Sequence, residues 1–121
     1  MVRGMALSAR MVTIDCRDPR RLAAFWTAAA GYTVADDFGG EFLVLAPGAD
    51  DGLRIGLQRV DEPRAGKNRV HIDFHADDRA AEAKRLTDLG ATVVAEHAVP
   101  GLGWTVFTDP EGNEFCVGQS G

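Results

Sequence analysis

This chain has little cysteine, no long apolar run and no surplus of positive charge, and each shortage removes a class of answer. Cys16 and Cys116 stand singly, without the spacing of a metal knuckle or a disulfide framework, which suits a reduced, cytoplasmic protein. No stretch approaches the roughly 18–20 apolar residues that a membrane-crossing helix requires, so no membrane partner is expected. The opening Met1-Val2-Arg3-Gly4-Met5 lacks the apolar core of a secretion signal. Thirteen Lys and Arg stand against eighteen Asp and Glu, a formal charge of −5, which argues against nucleic acid as a partner. The 121 residues are 45% hydrophobic and 26% charged, enough for one globular domain with a core of its own.

The most informative feature is internal similarity. Val12-Thr13-Ile14-Asp15 is echoed by Val70-His71-Ile72-Asp73, and an acidic turn follows each, Arg17-Asp18-Pro19 and Ala76-Asp77-Asp78. Each copy then runs into a helical stretch ending at a glycine, Gly31 or Gly90. In the first helix Asp18 is a good N-cap, Pro19 suits the first turn, and Leu22, Phe25, Trp26 and Ala29 make one apolar stripe. In the second, Asp77 or Asp78 caps, Ala80, Ala83, Leu86 and Leu89 form the stripe, and Arg79, Glu82 and Arg85 fall on the solvated side. Strands are expected over Tyr32 to Ala35, Glu41 to Ala46 and Leu53 to Val60. In the second half they are expected over Thr92 to Val99, Trp104 to Thr108 and Glu114 to Val117. Asp36 to Gly40, 47–52 and Pro100 to Gly103 read as turns, and 61–68 as the connector.

The expected fold class is therefore α+β, two βαβββ modules at about 10–60 and 69–121. They compose a single domain over 10–121, behind an N-terminal extension of residues 1–9. Alternation sets Val70, Ile72 and Phe74 under the second helix and turns His71, Asp73 and His75 the other way. The first strand repeats this, Val12, Ile14 and Cys16 opposing Met11, Thr13 and Asp15. Phe115 and Val117 likewise oppose Glu114 and Cys116. With helices on the apolar faces, the polar faces curve around a shared cleft where function is sought.

At this point the chain resembles the vicinal oxygen chelate superfamily, the glyoxalase and bleomycin-resistance-like proteins. The likeness is carried by Asp15-Cys16-Arg17-Asp18-Pro19 before Phe25-Trp26, by Arg69-Val70-His71-Ile72-Asp73, by Gly90-Ala91 and by Asp109-Pro110-Glu111-Gly112-Asn113-Glu114-Phe115. The resemblance implies a half-open, barrel-like sheet around a small-molecule cavity, and a homodimer that covers its exposed sheet edges. It also implies four metal-ligand positions, two per module, which metal-dependent members fill with His, Glu or Gln. Carried onto this chain, those positions fall at His71, at Met11 with Thr13 as neighbour, at Gly56 or Gln58, and at Cys116 with Glu114 two residues earlier. A thioether, an alcohol and a glycine are poor ligands for Zn, Ni, Mn or Fe, so the set is incomplete and no metal cofactor is expected.

The residues proposed for the site are His71 and Glu114 as acid–base groups, with Met11, Thr13, Gly56, Gln58, Asp73, Trp104 and Cys116 as ligand contacts. Trp104 offers a stacking face, Gly56 a close approach to the strand backbone, and His75 reads as a surface residue. The mixture suits a small-molecule ligand that is neutral or weakly basic with an aromatic or unsaturated part. The alternative is a lyase or isomerase that depends on a divalent metal held by an altered set around His71, Gln58 and Glu114.

Overall fold

The computed structural model describes residues 7–49 and 52–120; the first six residues of the expected extension and Asp50-Asp51 of the expected 47–52 turn lie outside the described residues. Two units meet at the Arg59–Val60 bond. Unit 1 runs β1 (Met11–Cys16), α1 (Pro19–Ala30), β2 (Thr33–Phe38), β3 (Phe42–Ala46) and β4 (Arg54–Arg59). Unit 2 repeats the order with β5 (Ile72–His75), α2 (Arg79–Leu89), β6 (Thr92–Val99), β7 (Leu102–Thr108) and β8 (Glu114–Ser120). The sheets have the orders β1-β4-β3-β2 and β5-β8-β7-β6, and neither closes. In each, the first strand pairs in parallel with the last, and the remaining pairs are antiparallel. The α+β class and the repeated βαβββ plan stand as the sequence pattern implies.

The helices begin and end for local reasons. Asp18 accepts a hydrogen bond from the Arg21 N–H at 3.2 Å, Pro19 occupies the first turn, and Gly31, at φ 70°, closes α1 in the left-handed region. Asp78, rather than Asp77, caps α2 by accepting from the Ala81 N–H at 3.1 Å. Leu22, Ala23, Phe25 and Trp26 bury α1, and Trp26, 1% exposed, meets Phe25 edge-to-face with ring centroids 5.1 Å apart. Ala23 takes the buried place expected of Ala29, which is half-buried.

The expected α2 stripe is corrected. Leu86 is buried and Ala83 half-buried, but Ala80 and Leu89 are exposed, and Arg79 and Glu82 are the half-buried residues. The cause lies on the sheet. Gly103 leaves room for the Arg79 guanidinium, which a Cβ there would approach to 2.9 Å. Arg79 uses that room to donate to the buried Thr105 Oγ1 at 2.8 Å and to Glu96 at 3.2 Å. The Arg79 N–H also donates to Gln119 Oε1 at 2.6 Å, so polar bonds tie the first turn of α2 to its sheet.

Several strand limits differ from the sequence reading. β2 continues through Asp36, Asp37 and Phe38, and the turn moves to Gly39-Gly40, both at positive φ. Asp37 fixes that turn by accepting from the Gly40 N–H and pairing with Arg20. β7 starts at Leu102, because Pro100-Gly101 alone makes the turn with Gly101 at φ 84°, and β8 runs three residues past Val117. β5 starts at Ile72, so Val70 precedes it and is exposed rather than packed under a helix. Cys116 is buried together with Phe115 and Val117, and Gly56 together with Ile55 and Leu57. The middle of each of these strands, 55–57 and 115–117, is therefore buried on both faces, not on one. The core of unit 2 centres on Phe107, stacked on Phe115 at 5.2 Å, with Phe74 edge-on to Phe115.

Candidate functional site

Strand register decides which side chains share a face. In unit 2, Asp73 lies beside Cys116 and His75 beside Gly118; Gly118 pairs in turn with Trp104, and Trp104 with His97. The same parallel register, continued one residue back from Ile72↔Phe115, sets His71 beside Glu114. These residues occupy the face turned away from α2, since Phe115, Phe107 and Thr105 alternate with them toward the helix.

At one end of this far face His71 Nε2 lies 3.1 Å from Glu114 Oε1, and Lys67 Nζ reaches the same oxygen at 3.1 Å. The imidazole contact is at ion-pair distance but is not aligned as a hydrogen bond, and the buried Nε2 has no hydrogen-bond partner among the described residues. Only 11% of the Glu114 side chain is exposed against 74% of Lys67, so a solvent-borne ammonium bridges to a sheltered carboxylate. The hydrogen bond from Lys67 holds the Glu114 carboxyl below its ordinary range. Burial works against that shift, and the charges of Lys67, His71 and Arg64 add to it. Glu114 is therefore an ionised acceptor.

In the middle of the face the Cys116 thiol meets Asp73. Burial pushes the thiol up, and the Asp73 carboxylate, through its charge and a hydrogen bond, pushes it further. A thiol held protonated in this way is a poor nucleophile. At the other end Trp104 stacks on His97, ring centroids 5.2 Å apart and 29° between planes.

Unit 1 carries Met11, Thr13 and Asp15 on β1 beside Arg54, Gly56 and Gln58 on β4, with Phe42 and Val44 on β3. In register, Thr13 stands to Gly56 as His71 stands to Glu114, and Asp15 to Gln58 as Asp73 to Cys116. A Cβ on Gly56 would lie 2.8 Å from Thr13 Oγ1, 3.2 Å from Met11 Sδ and 3.2 Å from Phe42 Cε1. The chain's own side chains take the space over this glycine, which the sequence reading left to a ligand.

The residues do not fit a divalent metal. Thr13 and Gly56 supply an alcohol and nothing, and the Glu114 oxygen is shared by Lys67 and His71. Among the described residues, no three His, Cys, Asp or Glu side chains gather in a metal-binding group.

Of the expected site residues, the structure joins His71 with Glu114 and Asp73 with Cys116, and sets Trp104 on the same face. Met11, Thr13, Gly56 and Gln58 share the corresponding face of unit 1. Sequence reasoning missed Lys67, His97 and Gly118. Lys67 lies in an irregular connector with no periodicity to interpret, and His97 joins Trp104 only through cross-strand register. Gly118 did carry a signal, since a glycine inside a strand marks a place where something approaches closely.

A glyoxalase-like domain family matches residues 11–118. No curated protein matches the sequence. A glyoxalase/bleomycin resistance protein/dioxygenase family enzyme from Burkholderia phytofirmans is similar in structure. Its TM-score is 0.74 at 21% identity, covering 91% of this chain and 96% of that one. A genomically encoded fosfomycin resistance protein from Listeria monocytogenes, solved with Mn(II) and a dihydroxypropylphosphonic acid, has TM-score 0.76 at 18% identity over 93% and 89% of the two chains. An antibiotic-binding protein from a Streptomyces species has TM-score 0.72 at 24% identity over 97% and 99%. At these identities the likeness is one of fold.

Proposed function

Because the chain belongs to the family of glyoxalase-like domains, we propose that it is a small-molecule-binding protein that holds an aromatic or unsaturated compound without a metal. One observation carries this reading. A single sheet face of unit 2 has an ionised carboxylate, Glu114, held by Lys67 and His71 at one end, and an indole stacked on an imidazole, Trp104 and His97, at the other. Directed polar groups beside an aromatic surface are what a small organic ligand requires. The fold neighbours lend support, since they include an antibiotic-binding protein and a fosfomycin resistance protein. Asp73 and Cys116 would form the middle of the contact surface, and Met11, Thr13 and Gln58 would offer contacts of the same mixed kind on unit 1.

The His71–Glu114 approach favours a second reading, in which the pair moves a proton on the bound compound. Our reading also includes one domain of two modules over 10–121 and a reducing, cytoplasmic setting, supported by two cysteines that form no disulfide. It further includes a homodimer, supported by edge strands β2 and β6, which expose Val34, Phe38, Val93, Val94 and Val99.

The test is a thermal-shift screen of planar aromatic natural products and small oxo-acids, repeated on Trp104→Ala and Glu114→Gln. Stabilisation by aromatic compounds that both variants weaken is the expected outcome. A screen without hits refutes the binding reading, and turnover of a compound that ends in His71→Ala moves the answer to catalysis.

A further inference from the structure

The far face of unit 2 holds a strand glycine, Gly118, that the ligand contacts above do not use. Register across all four strands gives one row, His75 on β5, Gly118 on β8, Trp104 on β7 and His97 on β6. Three of the four members carry rings and one carries nothing. Because strands lie about 4.8 Å apart, His75 and Trp104 rise on either side of Gly118 with their backbones about 10 Å from each other. That width takes one planar ring, since two stacking distances of about 5 Å add to the same span.

The two strand glycines of this kind differ in what surrounds them. Over Gly56 the neighbouring side chains close in to 2.8 and 3.2 Å. Over Gly118 the nearest atoms are the Gly103 carbonyl oxygen at 3.7 Å, Leu102 Cδ1 at 3.8 Å and the Phe74 carbonyl oxygen at 3.8 Å, all at ordinary contact distance and two of them backbone. The one side chain among them, Leu102, reaches ordinary contact distance and does not close over the glycine as the neighbours of Gly56 do. Trp104 is already held by His97 on its β6 side, which orients the indole before any ligand arrives.

We propose that Gly118 is the floor of a stacking slot, walled by His75 and Trp104, that takes a planar, protonated heteroaromatic amine. The planarity follows from the width and from the flat walls. The charge follows from the adjoining row, where Asp73 lies two residues from His75 on β5 and faces the same way, beside a Cys116 thiol that is not ionised. The chain's net charge of −5 acts in the same direction. The slot lies four residues along β8 from Glu114, about 13 Å away, so it holds a different part of a ligand from the one Glu114 meets. The inference rests on the reading of this face as a small-molecule site and names the class of compound it takes.

The experiment is calorimetric titration of the full chain with 4-aminoquinoline and with decahydroquinoline, which share a fused two-ring skeleton and a positive charge at neutral pH but differ in planarity. 4-Aminoquinoline binds severalfold to about tenfold more tightly, the worth of a stacked ring. Gly118→Ala lowers its affinity severalfold with a thermal midpoint near the parent's, because a Cβ at this position meets nothing closer than 3.7 Å, and Gly118→Val lowers it by tenfold or more. Trp104→Leu, which keeps the volume apolar but removes the flat wall, also loses the preference for the planar compound. Equal binding of the two amines, no binding of aminoquinoline, or unchanged affinity in Gly118→Val overturns the slot. Aromatic compounds that still bind the parent and are weakened by Glu114→Gln but not by Gly118→Val overturn the slot alone. If no compound of either panel binds the parent, the reading of the face falls with it.

Discussion

Gly56→Ala tests the finding that unit 1 closes over its own glycine. The new methyl would bury apolar surface, a gain of about 0.8 kcal/mol. It would also restrict the unfolded chain, a gain of about 0.4–1 kcal/mol. Against these stand a 2.8 Å approach to Thr13 Oγ1 and 3.2 Å approaches to Met11 Sδ and Phe42 Cε1. Met11 ends in a flexible thioether and yields cheaply. Phe42 is stacked on Phe38 and cannot swing freely, and the Thr13 oxygen lies closer than contact permits. Overpacking of this kind costs about 1–3 kcal/mol, and the shortness of the Thr13 contact puts this site in the upper half of that range. The expected net loss is about 1 kcal/mol. In a Thr13→Ala background the 2.8 Å contact is gone, the gains prevail, and the same substitution becomes neutral or slightly stabilising. The coupling, about 1–2 kcal/mol, appears in a double-mutant cycle of urea unfolding as a midpoint difference of roughly 1 M. An equal cost in both backgrounds, or a stabilised Gly56→Ala in the parent background, would refute the packing argument.

Glu114 has a folded-state pKa below its unfolded value, so the stability it contributes is fully present above pH 4.5 and is lost as pH falls through the lower, folded midpoint. Lys67→Ala removes the main cause, and carboxyl-resolved NMR titration should find the Glu114 midpoint moved upward, with urea midpoints less sensitive to acid; an unmoved midpoint contradicts the assignment. The Cys116 thiol, pushed up by burial and Asp73, should react slowly with a disulfide reagent at neutral pH and faster in Asp73→Asn. A fast parent reaction at that position would show the thiol to be ionised. Trp26→Ala should cost about 3–5 kcal/mol in chemical unfolding, as expected for a large side chain that is 1% exposed, and a loss under 1 kcal/mol would place Trp26 outside the core. Asp78→Ala should cost about 1 kcal/mol through the lost cap of α2, an effect Asp77→Ala should not reproduce.

The doubled plan was legible in the sequence because it rests on local signals. Asp18-Pro19 and Asp78 start helices, Gly31 and Gly90 end them, and the Val-x-Ile-Asp echo marks the first strand of each unit. Where a side chain's place depends on a distant residue, the local pattern misled. Arg79 looks solvated on a helical wheel, yet Gly103, on another strand, gives it a place against the sheet. Gly56 and Gly118 look alike in sequence, and only their neighbours on adjacent strands separate a filled glycine from an open one. In the same way His71 and Glu114 could be named individually, but the register of β5 on β8 brings them together and the path of the connector adds Lys67.

The pairing of the first strand with the last in each sheet has a consequence for how the protein is made. β1 lies beside β4 through the register Met11↔Arg54 to Cys16↔Arg59, and everything between them in sequence must be threaded before that edge can form. Closing so long a stretch of chain costs entropy before any strand contact repays it, so the parallel pair is a slow step. On the ribosome β1 therefore emerges without a partner and keeps an unpaired backbone edge until Arg59 has cleared the exit tunnel. β5 then begins the same wait for β8, which ends at Ser120. Unit 1 can therefore complete its sheet while unit 2 is still being synthesised.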